Sequence, residues 1–210
     1  MSRLSAYMKI LALSLFLLML NACMGMGNAP SRFYVLNSLT GPGERARTAT
    51  VQPHVTIGIG PVEFPAYLDR QQIVTRVSEN ELHLAGFDEW AEPLKDNFTR
   101  VLVENLYALL LEEAFEVFPF RGSAEIDYQV EVEVIRLDGR LGGDASLTVR
   151  WTLFERHGRE LLLTEKSSIH EPARGSDYAA LVAAQSRAVE AFSREIAGAI
   201  KGLSQKRSKP

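Results

Sequence analysis

One cysteine, Cys23, stands in the whole chain, so no intramolecular disulfide can form. The fold must therefore hold itself together by burying apolar side chains. The 210 residues are 46% apolar and 23% charged, ordinary globular usage that makes such a core possible. That composition excludes wholesale disorder, collagen-like repeats and a small disulfide scaffold. The length allows one domain, or two small ones. A formal charge of −3 argues against a nucleic-acid partner, which would call for a basic stripe.

The position of that cysteine matters more than its number. Residues 1–9 carry Arg3 and Lys9 and no acid, and an uncharged apolar run of eleven residues, Ile10 to Leu20, follows. A spanning helix needs about 20 such residues, so this run fits the h-region of a signal peptide instead. Leu20-Asn21-Ala22-Cys23 comes next and resembles the bacterial lipobox. The resemblance implies cleavage between Ala22 and Cys23, diacylation of the Cys23 thiol and acylation of its new amine. Met24 after the cysteine, where Asp would favour inner-membrane retention, implies the outer membrane, with the chain lipid-anchored on its periplasmic face. Two or three acyl chains make a lasting anchor where one binds only reversibly.

The expected organisation is a signal peptide over 1–22, a lipidated tether over 23–31, one domain over 32–204 and a flexible basic tail over 205–210. Removing the signal leaves 188 residues and takes away two basic residues, so the formal charge falls from −3 to −5.

Within the domain, Arg32 to Leu36 and Val55 to Ile59 read as strands, with a polar loop from Ser38 to Pro53 between them. Val62 to Pro65 extends the second strand past Pro61. Ile73–Val77 and Glu81–Leu84 read as a hairpin. A helix begins at Glu92-Pro93 and carries Leu94, Phe98, Val101, Leu102, Leu106, Leu109 and Leu110 at helical spacing as far as Glu113. Ile126, Tyr128, Val130, Val132 and Val134 then alternate with Asp127, Gln129, Glu131 and Glu133, giving one dry face and one wet, acidic face. The alternation breaks at Val134-Ile135, where a bulge is expected. Strands follow over Ser146 to Leu153 and Glu160 to Ile169, with turns at Gly142-Gly143 and His157-Gly158. The closing helix starts near Ser176-Asp177 and shows Tyr178, Leu181, Val182, Val189, Phe192, Ile196, Ile200 and Leu203 on one stripe. The fold class is α+β: a mostly antiparallel sheet with two amphipathic helices packed on it, in the order strands, helix, strands, helix.

No catalytic or metal-binding motif emerges, and no cofactor is implied. His54, His83, His157 and His170 have no second His or Cys at ligand spacing. Gly58-Ile59-Gly60 follows a strand but lacks the third glycine of a dinucleotide loop, and Pro61 stands where a helix would open. Asp127, Glu131 and Glu133 could serve a periplasmic hydrolase, but a solvated strand face is the simpler reading. The segment Pro61 to Arg76 combines prolines, aromatics and an Asp69-Arg70 step. Pro61, Phe64, Pro65, Tyr67, Leu68, Asp69 and Arg70 are the candidate subunit or partner contact, since proline lowers the ordering cost of binding; a core-capping loop is the alternative.

Phe33-Tyr34-Val35-Leu36, the stretch from Ile57-Gly58-Ile59-Gly60-Pro61-Val62-Glu63-Phe64-Pro65 through Asp69-Arg70 to Thr75-Arg76, and Trp90-Ala91-Glu92-Pro93-Leu94 resemble the PqiC-like family of ABC-type transport auxiliary lipoproteins. The resemblance implies a non-enzymatic outer-membrane subunit that accompanies an MCE-domain tunnel protein in intermembrane lipid transport and supports membrane integrity. It also implies a ring of identical subunits. The competing expectation is a monomeric lipid carrier, which needs an apolar cavity between sheet and helices.

Overall fold

The computed structural model describes residues 30–39, 55–113, 115–120, 122, 125–155 and 160–207. The lipobox with Cys23, most of the Ser38–Pro53 loop, His54 and the His157-Gly158 turn lie outside the described residues. The chain divides between Ser31 and Arg32 into two units, and the architecture is that of the second.

Among the described residues, eight strands and two α-helices run in the order β1 (Arg32–Tyr34), β2 (Val55–Glu63), β3 (Gln72–Arg76), β4 (Leu82–Trp90), α1 (Leu94–Leu110), β5 (Phe115–Pro119), β6 (Tyr128–Gly139), β7 (Asp144–Glu155), β8 (Glu160–Pro172) and α2 (Tyr178–Arg207). This is the α+β order expected from the periodicities. The single expected sheet is instead two. One has three strands ordered β1-β4-β3, and the other has five ordered β5-β2-β6-β7-β8. The long pairings, β6 with β7 and β7 with β8, are antiparallel. β2 lies parallel to both β5 and β6. Parallel neighbours need a crossover, and the β3–β4 hairpin with α1 supplies the one from β2 to β5.

α1 starts where the proline places it, with Pro93 as N-cap and Asp96 in the first turn. A 3₁₀ turn over Leu111–Glu113 finishes it. At α2 the Asp177 carboxylate accepts a hydrogen bond from the Ala180 amide at 2.8 Å, a side-chain N-cap. α2 continues to Arg207, so the first three residues of the expected tail are helical. Among the described residues no helix is long and apolar enough to cross a membrane.

The core fills the space between the larger sheet and the helices. Leu94, Phe98, Val101, Leu102, Leu106 and Leu110 from α1 meet Val182, Val189, Phe192, Ile196 and Ile200 from α2, all buried. From the sheet, Val130, Val132, Val134, Leu147, Val149, Trp151 and Leu153 close the same core. Trp151 and Phe192 meet edge to face with ring centroids 6.3 Å apart. The bulge falls where the alternation breaks, with the β6–β7 register shifting between Val134 and Arg136. One position of the wet face is a correction: Gln129 is buried. Its side-chain amide donates to the Gly60 carbonyl at 2.8 Å and to Glu131 at 3.2 Å. Satisfying both amide protons makes a polar side chain stable there.

Candidate functional site

The candidate contact segment begins inside β2, at Gly60-Pro61, where the register with β6 shifts between Ile59 and Val62. Gly60 adopts φ +133°, a conformation that L side chains rarely take. At Gly58 a Cβ would sit 2.9 Å from Ile126 and 3.0 Å from Phe120. The Gly58-Ile59-Gly60 pattern thus answers to packing and backbone geometry, not to a nucleotide.

Beyond β2 the segment splits into an inner and an outer set. Phe64 packs edge to face on Phe98 of α1, with centroids 5.3 Å apart. A 3₁₀ turn over Ala66–Leu68 drives Leu68 into the core at 3% exposure. Tyr67 is half-buried, and its hydroxyl donates to the Asp138 carboxylate at 3.2 Å. These three residues cap the core, so the alternative weighed from sequence applies to them. Pro61, Ala66, Asp69 and Arg70 face solvent, while Pro65 is half-buried. The Asp69 and Arg70 side chains have no ion pair among the described residues.

What holds this segment rigid is Asp138 on β6. Its side chain is fully buried, an expensive place for a charge unless it is paired. Arg76 from β3 donates to it through Nε at 3.2 Å and Nη2 at 2.8 Å, and Arg136 donates through Nε at 2.6 Å. Burial pushes the Asp138 carboxyl up, but the hydrogen bonds from Arg76 and Arg136 outweigh it and hold the carboxyl below its usual range. Burial, then the neighbouring Asp138 charge, pushes the Tyr67 phenol up to about 12. One carboxylate thereby ties the excursion, β3 of the small sheet and β6 of the large sheet together.

The outer set borders three open depressions. A groove of 600 Å³ runs past Pro61, Val103, Pro119 and Phe120 to Lys95 and Arg100 on α1. A second, of 250 Å³, lies between Phe64, Asp69 and Lys95. A third, of 220 Å³, lies between Asp69, Arg70, Trp90 and Pro93. Together they form a corrugated surface of mixed apolar and charged lining around the exposed edge of the excursion.

The carboxylates considered from sequence do not converge. Asp127 accepts from the amide and hydroxyl of Thr56, Glu131 from Gln129, and Glu133 pairs with Arg150. His83 is exposed, and the Nδ1 of His170 lies 3.1 Å from the Ser146 hydroxyl. Among the described residues no three His, Cys, Asp or Glu side chains gather as metal ligands.

Sequence reasoning missed the polar groups that seat the strand-like segment after β1. The Asn97 carbonyl accepts from the Leu36 amide at 2.7 Å, and that of Asn105 from the Leu39 amide at 2.7 Å. The Ser186 hydroxyl accepts from the Asn37 amide at 3.1 Å. Asn97 and Asn105 are fully buried on α1. Their spacing of eight residues, in register with the apolar stripe, was the available signal.

These elements make a two-sheet α+β domain whose excursion after β2 is braced by the buried Asp138 carboxylate. The family comparison makes it particular: the ABC-type transport auxiliary lipoprotein component model matches residues 34–197, and the chain belongs to that PqiC-like family. A solved structure described as an uncharacterized protein is 20% identical, with TM-score 0.67, covering 82% of this chain and 99% of its own. A protein of Xanthomonas campestris from the DUF330 family is 18% identical, with TM-score 0.65, covering 85% of this chain and all of its own. At these identities the two structures support the fold. No curated protein sequence matches the chain.

Proposed function

We propose that this chain is an outer-membrane lipoprotein subunit of an MCE-type intermembrane lipid transport system. It is acylated at Cys23 and docks a periplasmic tunnel protein to the membrane, with a ring of identical subunits as its working form. One observation carries the reading: ten residues upstream of the auxiliary-lipoprotein match over residues 34–197 stands Leu20-Asn21-Ala22-Cys23, after an apolar run. The exposed edge of the excursion, Pro61, Ala66, Asp69 and Arg70, is the docking candidate. Phe64, Tyr67 and Leu68 brace it from within.

The packing counts against a lipid carrier. Phe98, Leu102, Leu106, Trp151 and Phe192 occupy the layer between sheet and helices at no more than 1% exposure, where an acyl chain would have to lie. The proposed role is accordingly a structural one, in docking.

The test is co-purification of the lipidated protein from membranes with its MCE-domain partner, followed by mass measurement of the complex. A complex with several copies of this chain is expected; a monomer that never retains an MCE-domain protein would refute the docking role. Separately, Cys23→Ser should leave the outer-membrane fraction. Its persistence there would refute the anchor.

A further inference from the structure

Along β1 and β4 the small sheet leaves a strip of apolar side chains uncovered, while β3 beside them is buried at Ile73, Val74 and Thr75. Pairing sets Arg32 beside Asp88 and Phe33 beside Glu89. Arg32 and Tyr34 reach inward to Asp88, by an ion pair at 2.9 Å and a hydrogen bond at 2.7 Å. Strand alternation therefore sends Phe33 and Val35 outward. On β4, Ala85, Asp88 and Trp90 are buried, while the consecutive residues Gly86 and Phe87 are both exposed. This is a bulge, and the β3–β4 register slips there, between Gln72 and Val74. The pairing puts Leu82 and Leu84 before the bulge, and alternation puts Phe87 after it, on the side of Phe33 and Glu89; on β3 that side holds buried Val74 and Arg76 turned to Asp138, so the exposed strip is confined to β1 and β4. Phe33 is 63% exposed, Leu84 and Phe87 43%, Val35 38% and Leu82 36%. Apolar side chains gathered in this way mark a surface that meets something apolar.

We propose that this face rests on the lipid bilayer, so that the domain touches the membrane through β1 and β4 as well as through its acyl chains. The inference depends on the Cys23 anchor proposed above. Eight residues separate Cys23 from Arg32, a reach of about 30 Å when fully extended. β1 is the element that this tether enters, so the apolar face begins at its exit. Tethering gives the face a high effective concentration at the surface, and a weak partition is then enough to hold it there. The tether entering β1 carries two large apolar side chains, Met24 and Met26. Residues 40–54 hold one large apolar side chain, Val51, and the apolar run Ile10–Leu20 leaves with the signal peptide.

Acylation consumes the only native thiol, so a cysteine introduced by Phe87→Cys accepts a thiol-reactive nitrobenzoxadiazole probe alone. Gly198→Cys on α2 serves as the reference, because a Cβ there meets open space. Leu84→Cys repeats the measurement should Phe87→Cys fold poorly. The lipidated full-length proteins are reconstituted in vesicles of phosphatidylethanolamine and phosphatidylglycerol doped with nitroxide-labelled lipid. The probe at Phe87 or Leu84 should shift to the blue, brighten several-fold in undoped vesicles and be quenched by the nitroxide, while the Gly198 probe remains as in water. A face probe that stays water-like in a vesicle-bound protein overturns the inference. So does a blue-shifted probe that the nitroxide does not quench, which points to a protein neighbour instead. Wild-type protein that accepts the fluorophore at Cys23 refutes the anchor itself, and that failure is read independently of the two probe positions.

Discussion

Replacing Asp138 should loosen the candidate docking surface and leave the core packing alone. Asp138→Ala strips two guanidinium groups and one phenol of their shared acceptor. Arg76 suffers most, because its side chain is only 18% exposed, whereas Arg136 at 35% can turn to water. Removing one partner of a buried ion pair costs about 3–5 kcal/mol; the partial exposure of Arg136 puts the expectation at the low end, about 3 kcal/mol. For a domain of this size that corresponds to about 6–12 °C in Tm. Asp138→Asn keeps an acceptor for Tyr67 and should cost less, about 2 kcal/mol. The pH dependence gives a second readout. The folded carboxyl lies below its unfolded value of about 3.9, so its contribution is complete above that pH and is lost as the pH falls through the folded value. Urea melts of the Cys23→Ser chain at neutral pH and below pH 4 would measure both effects. Wild type should lose stability over that acid range more steeply than Asp138→Ala. Hydrogen exchange should rise in residues 64–76 of the variant before it rises in α1. A variant within about 0.5 kcal/mol of wild type, the range of an ordinary surface change, or one with an unchanged acid slope, would refute the clasp.

Three further substitutions separate packing from contact. Asn105→Ala leaves the Leu39 amide without its acceptor and removes the donor to Ser193, whose hydroxyl keeps the Val189 carbonyl, and should cost about 1–3 kcal/mol in urea unfolding. Gly139→Ala puts a Cβ 2.6 Å from the Asp144 carbonyl and 2.7 Å from Leu181 of α2; calorimetry should show a destabilisation of about 1–3 kcal/mol from overpacking. If the docking role proposed above holds, the pair Asp69→Lys with Arg70→Glu should leave Tm unchanged and reduce co-purification with the proposed MCE-domain partner, and full retention would remove these two residues from the proposed docking surface.

Much of the fold was legible because two periodicities dominate the chain. The α1 stripe from Leu94 to Leu110 and the alternation from Ile126 to Val134 each bury one face, so spacing alone reveals the element. β5 escaped because Phe115–Pro119 has only two buried positions, Phe115 and Val117, directly after a helix end. Its strand character comes from pairing with β2, a tertiary contact that its own residues barely encode. The division into two sheets escaped for a related reason. The β3–β4 hairpin reads locally like any other, and only the Arg76–Asp138 contact across 62 residues shows where it attaches. Of the candidate site, the exposed edge at Asp69-Arg70 was legible as charge beside proline. The inward role of Tyr67 was not, because its partner lies 71 residues away.

The polar contacts that hold the pieces together share a pattern that the apolar core cannot supply. Hydrophobic burial is non-directional, so the stripes of α1 and α2 alone would tolerate a sliding segment after β1 and a rotated hairpin. Asn97, Asn105 and Ser186 fix that segment amide by amide, at Leu36, Leu39 and Asn37. Asp138 fixes the hairpin and the Tyr67 turn with a fan of donors from three directions. A docking surface built from exposed loop residues needs this kind of positional control, since ordering it at the moment of contact would weaken binding. The segment after β1 and the excursion are therefore both held in register by buried polar side chains, one group on the helices and one on β6.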